Sequence, residues 1–209
     1  MAAPVMPYSL RLIEDVLAPG TRHEAAARPI ARVVYLLDGT VEALESDRAR
    51  LASGAITAGA RGARLLRWEL VRQPPPPAGG RVLLEHPLEL DAKAAWLIRC
   101  DRVDFERGAV APPHGHQGGG IRCLLQGRLE VKVGDGIARV MRPGDAWFES
   151  GKEPVRAVAA RDEDTSFIRV AMLPAAIRGK SSILYVDPAA AARSKPRTYT
   201  VFVDEPIAI

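Results

Sequence analysis

Glycine and proline cut this chain into short apolar runs, and that cadence restricts its fold more than any other feature. There are 18 glycines and 17 prolines. Between them lie Ala31–Leu37, Ala63–Val71, Arg81–Leu84, Ala94–Cys100, Ile121–Leu125, Leu129–Val133, Ala138–Met141, Ala146–Phe148, Val155–Ala159, Ser166–Leu173 and Tyr199–Val203. The runs are rich in Val, Ile and Leu. Leu129-Glu130-Val131-Lys132-Val133 alternates strictly, which puts its apolar residues on one face of a strand. Asp38-Gly39, Gln126-Gly127, Gly134-Asp135-Gly136 and Pro143-Gly144-Asp145 mark turns between runs. Such runs predict an antiparallel all-β sandwich or barrel. Helical signals are few. Ile13–Leu17 reads as one helical turn, Ser46–Ala52 as a hairpin loop between two strand-like runs, and Pro188–Arg193 as a short helix.

One segment is of low complexity. Gln73-Pro74-Pro75-Pro76-Pro77-Ala78-Gly79-Gly80 favours polyproline II and supports neither helix nor ladder. It reads as a linker, with a docking site for a proline-recognising module as the alternative. The expected division is a unit over 1–73, a linker over 74–80 and a second unit over 81–209.

The chain has 209 residues, 47% apolar and 26% charged, which suits a globular protein able to bury a core without staples. Its net charge is +4, but the charges are interspersed. No basic run with interleaved aromatics is present, so no nucleic-acid partner is expected. Glu14 and Asp15 stand where a signal peptide would be apolar, and no apolar run approaches the length of a membrane span. The expectation is a cytoplasmic protein without a membrane partner. Cys100 and Cys123 are too few for a disulfide framework and read as buried thiols, Cys123 lacking a histidine at nucleophile–base spacing.

His114-Gly115-His116 places two imidazoles on one strand face, roughly 6 to 7 Å apart along the strand. Two such rings can converge on a metal; they can also line a pocket and bond an organic ligand, or be satisfied in a core. The spacing around them recurs. Gly108, His114, His116, Gly120 and Gly127 stand at the same intervals as Gly20, Ala26, Arg28, Arg32 and Gly39. Leu36-Leu37-Asp38-Gly39 echoes Leu124-Leu125-Gln126-Gly127, and Ala63-Arg64 echoes Val155-Arg156. Two matched spacings argue for a duplicated β-unit.

Gly108, His114, His116, Gly127 and Pro143-Gly144-Asp145 together resemble the two motifs of the cupin superfamily, over about residues 95–173. The first half resembles a degenerate copy, so the whole resembles a two-cupin (bicupin) protein. The resemblance implies a double-stranded β-helix, that is, two tandem jelly-roll barrels with few short helices. It further implies a divalent transition metal (Fe, Mn, Ni or Zn), a small-molecule ligand and a homodimer. The chain departs from the pattern where the family has its glutamate, here Gly120, and its third histidine, here at or near Val155. The first half, with Ala26, Arg28 and Arg32 at the matching positions, is expected to carry no metal; its arginines bind an anion or are neutralised by Asp or Glu.

Two histidines alone make a weak metal site. Glu149 and Glu153 are the carboxylates positioned to complete His114 and His116. Arg122 shares the parity of Gly120 and is the candidate clamp for a carboxylate substrate, with Arg99 a second of the same kind. Trp147, with Phe148, is either core packing or a substrate platform. Gly118-Gly119-Gly120 reads as a turn needing positive φ, or as an absence of side chains that widens a pocket mouth. His23 and His86 are read as surface or structural. Two function classes follow: a metal-dependent small-molecule enzyme, of dioxygenase or isomerase type, and a non-catalytic ligand-binding or sensing protein that has lost part of its metal site.

Overall fold

The computed structural model describes residues 8–24, 29–42, 44–72, 79–192, 194 and 197–209. Ala26, Arg28, the proline run 74–77 and Arg193 lie outside them. The chain forms two compact units, Met1–Ala95 with Ile207–Ile209, and Trp96–Pro206. Among the described residues no helix is long and apolar enough to cross a membrane.

The first unit is a six-stranded antiparallel sheet. Its strands are β1 (Tyr8–Leu17), β2 (Arg22–His23), β3 (Ala31–Val41), β4 (Ala49–Leu51), β5 (Ile56–Arg72) and β6 (Arg81–Leu88). They run in the order β4-β3-β5-β1-β6, with β2 paired to one end of β5. Val34, Leu36, Val41, Leu44, Ile56, Ala58, Ala63 and Leu65 form an apolar cluster here.

Three expectations change. Ile13–Leu17 is not a helical turn but the end of β1, which pairs with β5 over its whole length. Tyr8 to Ile13 are all buried, Ser9 and Arg11 included. Burial on both faces erases the period-two signature that an exposed face would have left. Ala49–Leu51, inside the segment read as a loop, is β4 and pairs with β3. Arg81–Leu88 lies beyond the proline run, yet it pairs with β1. The first compact unit therefore reaches Ala95, because ladder hydrogen bonds, not the proline run, decide which unit a strand joins.

The second unit has two five-stranded sheets. One orders β11 (Arg139–Met141), β10 (Leu129–Val133), β13 (Val155–Ala159), β8 (Val110–His116) and β15 (Ile183–Tyr185). The other orders β12 (Ala146–Glu149), β9 (Gly120–Gln126), β14 (Thr165–Pro174), β7 (Trp96–Phe105) and β16 (Arg197–Ile207). Val103, Phe105, Leu124, Trp147 and Phe167 from one sheet pack with Ala111, Leu129, Val131, Met141 and Val155 from the other. This is the jelly-roll architecture, two sheets closed over one apolar core. Among the described residues the one α-helix is short, Pro188–Ala192, within the segment the sequence marks as helical. The last strand runs through Pro206 rather than stopping before it. It borders its sheet, where a missing N–H is tolerated.

Gly118-Gly119-Gly120 is neither a positive-φ turn nor a widened mouth. None of the three has positive φ. A Cβ at Gly118 would lie 2.0 Å from the Met172 carbonyl oxygen, and one at Gly120 would lie 2.3 Å from that of Val170. Gly118 and Gly120 are glycine because neighbouring backbone occupies the space a side chain would need, while a Cβ at Gly119 would meet the Phe148 ring at 3.1 Å.

Candidate functional site

Strand pairing assembles the site. β8 carries His114 and His116 on one buried face. Val155, where the family's third histidine falls, lies directly opposite His114 on β13. In the facing sheet, Glu149 of β12 lies opposite Gly120 of β9. A carboxylate is thus present in the row of the family's glutamate, but it comes from the adjacent strand. One row further, Asp101, Arg169, Arg122 and Trp147 stand side by side across β7, β14, β9 and β12. Directly opposed residues share a face, and all four are buried.

Glu149 is the hub. Its Oε1 accepts from the Trp147 indole N–H at 2.8 Å. Its Oε2 lies 2.7 Å from Arg122 Nη2 and 3.3 Å from His116 Nε2. Arg122 Nη1 donates to the Gly120 carbonyl at 2.6 Å, while its buried Nε has no hydrogen-bond partner among the described residues. Arg169 is held bidentately by Asp101, Nε to Oδ1 at 2.6 Å and Nη2 to Oδ2 at 2.9 Å. With Glu149 from the neighbouring row, two arginines and two carboxylates make this buried cluster electrically neutral, as low-dielectric burial of charge requires.

The electrostatics assign protonation. Burial works to raise the Glu149 carboxyl, but the Arg122 charge and the hydrogen bonds from His116 and Trp147 outweigh it and hold the group below the usual carboxylate range. Burial, then the Arg122 and Arg169 charges, push His116 down to about 4 against the pull of Glu149. The His116–Glu149 contact is therefore a neutral N–H donating to a carboxylate near neutral pH, not an ion pair. Its Nδ1 then faces the Ser182 hydroxyl at 3.5 Å. Burial also lowers His114. That ring donates from Nδ1 to the Pro112 carbonyl at 2.7 Å, which leaves a lone pair on Nε2. The two rings meet edge to face at 5.0 Å, and Tyr185 lies 5.9 Å from His114. Burial lowers Arg122 to about 10, with Glu149 opposing.

These contacts test whether the donors suit a divalent metal. Two imidazoles and a carboxylate are the right types. However, both oxygens of Glu149 are engaged, and a cation on Oε2 would sit against the Arg122 guanidinium. Among the described residues no group of three or more His, Cys, Asp or Glu side chains is placed to hold a metal. As arranged, the donors do not fit one.

The other candidates separate. Glu153 is exposed on the bend after β12, its carboxylate 3.5 Å from the Ser150 hydroxyl, and it does not enter the site. Both Nη groups of Arg122 are committed to the protein. Arg99 is likewise taken, by Asp204 at 2.8 and 3.1 Å and by the carbonyls of Lys180 and Ile177. Trp147 packs edge to face on Phe167 at 5.4 Å while its N–H serves Glu149, so it is a core residue with a polar task. Cys100 and Cys123 are buried thiols, and Cys123 Sγ donates to the Leu124 carbonyl at 3.7 Å. Asp101, Arg169, Ser182, Tyr185 and Tyr199 escaped the sequence reading. Arg169 had a visible signal, a lone charge inside the apolar run Ser166–Leu173.

His114, His116, Trp147, Glu149 and Arg169 line an interior cavity in which the space open to the centre of a water-sized sphere is about 20 Å³, room for about one water. Arg169, Ile183 and Tyr199 also line a wider groove of 380 Å³. Arg99, Asp101, Lys180, Ser182, Val201 and Asp204 are also in its wall.

Residues 101–171 match the family model described as Cupin domain. No curated protein matches the chain. Among solved structures, AerE from Microcystis aeruginosa is similar at 14% identity and TM-score 0.58, over 78% of this chain and 88% of its own. The formate complex of Lactobacillus farciminis oxalate decarboxylase is similar at 13% identity and TM-score 0.57, over 91% and 82%. Oxalate decarboxylase from Bacillus subtilis at pH 4.6 is similar at 14% identity and TM-score 0.55, over 87% and 71%. At such identities the likeness is one of fold.

Proposed function

We propose that the second unit is a ligand-binding cupin that takes a small organic monocarboxylate and holds no resident metal. The observation that carries this reading is the 2.7 Å contact of Arg122 with Glu149. The cation that neutralises the buried carboxylate is supplied by the chain itself. The ligand belongs in the 380 Å³ groove, a volume suited to a small molecule. Arg99 and Arg169 there are matched by Asp204 and Asp101. Lys180 is exposed and has no ion pair among the described residues. The groove therefore keeps one positive charge, and Tyr199, Val201 and Ile183 offer apolar surface to the ligand's body. Two of the structural neighbours are named for oxalate, a small dicarboxylate, which supports an organic-acid ligand; the single unpaired charge of the groove is what limits it to one carboxylate.

The first unit is, in the same reading, a second cupin copy that lost its site. Gly39 and Gly127, matched by spacing, both have positive φ, +86° and +74°. At each, a Cβ would lie 2.3 Å from a carbonyl oxygen, of Gly62 and Asp164 respectively. Arg32, at a ligand position, is neutralised by Glu69 at 3.1 Å.

The test combines metal analysis with calorimetry. Protein incubated with iron, manganese, nickel and zinc, then desalted, is expected to hold well under one equivalent. Benzoate is expected to bind and neutral benzamide not to, with the affinity falling about ten-fold in Lys180→Gln. One equivalent of metal that disappears in His114→Ala overturns the reading and restores the metal-enzyme class.

A further inference from the structure

Outside the second unit's site, the first unit carries a basin of 730 Å³ between the β3–β4 hairpin and β5. Arg48, Arg50 and Arg61 line it, together with Thr40, Glu45 and Ser46. Among the other described arginines of this unit, Arg72 donates to the Tyr8 hydroxyl and the rest face acids. Arg22 meets Glu24, Arg64 and Arg81 share Glu14, and Arg11, Arg32 and Arg67 share Glu69 and Asp15. Among the described residues, none of the three basin arginines has an ion-pair partner. The segments outside the described set contain no Asp or Glu, so no hidden side chain supplies one.

The anchoring of these arginines is weak. Arg48 Nη1 donates to the Asp47 carbonyl at 3.3 Å, and Arg61 Nη2 to the Gly39 carbonyl at 3.4 Å. Arg50 Nε is shielded from solvent and has no hydrogen-bond partner among the described residues. A buried donor without a partner loses the hydrogen bond that water would have given it, so it marks a place where a partner belongs. Asp47, another acid of the hairpin, does not line the basin and accepts from the Tyr35 hydroxyl at 2.7 Å.

We infer that this basin is a binding site for a small organic phosphate. Three guanidiniums against Glu45 leave a net charge of 3 − 1 = +2 on the lining. A phosphate monoester near neutral pH carries roughly −1.5 to −2 and offers three acceptor oxygens to forked donors. A carboxylate or sulfate ester matches only half of that charge. The volume exceeds what a bare ion needs and falls in the range of small-molecule pockets. The site lies in a different unit from the proposed carboxylate groove and does not depend on it.

Calorimetry on the full chain at low salt tests the inference, with phenyl phosphate as probe and phenyl sulfate as its monoanionic control. Phenyl phosphate is expected to bind more tightly than phenyl sulfate. The affinity is expected to fall about ten-fold in Arg50→Gln and again in Arg61→Gln, and to be unchanged in Arg139→Gln. Arg50 and Arg61 sit on β4 and β5, strands whose pairing is backbone-made, so both variants are expected to keep the native circular-dichroism spectrum. Absence of phenyl phosphate binding at about 10 mM, equal affinity for the two esters, or an equal loss in Arg139→Gln overturns it, the last by showing diffuse attraction to a basic surface.

Discussion

Replacing Arg122 by methionine removes the guanidinium while keeping an apolar stem of similar reach. Glu149 is then buried with only the Trp147 and His116 N–H groups for company. Breaking a buried pair from one side costs about 3 to 5 kcal/mol, a large share of the roughly 5 to 15 kcal/mol that holds an ordinary domain together. The penalty carries a pH signature. In the native protein Glu149 sits below its ordinary value. Its contribution is present above the unfolded value, about 4.3, and is lost as pH falls through the lower folded one. In Arg122→Met burial prevails and the folded value rises above the unfolded one. The penalty is then fully felt at alkaline pH and shrinks as pH falls through the raised value. Urea unfolding of native and variant protein between about pH 4.5 and 8 is therefore expected to show the gap narrowing on acidification. Arg122→Met with Glu149→Gln removes both charges and is expected to recover most of the loss. If the double variant loses the sum of the two single losses, with no coupling, the pair is not what neutralises Glu149 and the reasoning fails.

Other outcomes follow from the same contacts. Because the folded value of His116 is about 4 against an ordinary 6.5, its neutral form contributes stability that is complete above 6.5 and lost as pH falls toward 4. The loss is up to about 3 kcal/mol, and His116→Asn is expected to flatten that part of the stability–pH curve measured by denaturant. Gly120→Ala is expected to cost about 3 kcal/mol or more in chemical denaturation, since its Cβ would stand 2.3 Å from the Val170 oxygen; a neutral result would mean that β9 and β14 separate easily there. Glu69→Gln in the first unit loosens three buried guanidiniums, those of Arg11, Arg32 and Arg67. It is expected to lower the melting temperature markedly, with about 3 to 5 kcal/mol lost.

The strand runs of the second unit were legible because they are short, β-branched and bounded by turn residues. His114 and His116 share a face for a reason that needs only the period of a strand. The resemblance rested on spacing, and the family match over 101–171 falls on the same residues. β1 was illegible because it is buried on both faces, so its Ser9, Arg11 and Asp15 broke the apolar pattern without breaking the strand. Arg169 and Asp101 were missed for the same reason: each is tolerated inside only because its partner stands opposite on the next strand.

The sequence alone determined the all-β character, the turns of the second unit and the pair of histidines, since these depend on residues close together along the chain; Asp38-Gly39, read as a turn, instead lies inside β3 between two register shifts of its ladder with β5. Tertiary structure decided what the pair is worth. Gly120 lies opposite Glu149 and Arg122 beside Arg169 only after β9, β12 and β14 align. Which cation neutralises a buried carboxylate depends on distances of a few ångströms across strands. No spacing along the chain encodes them.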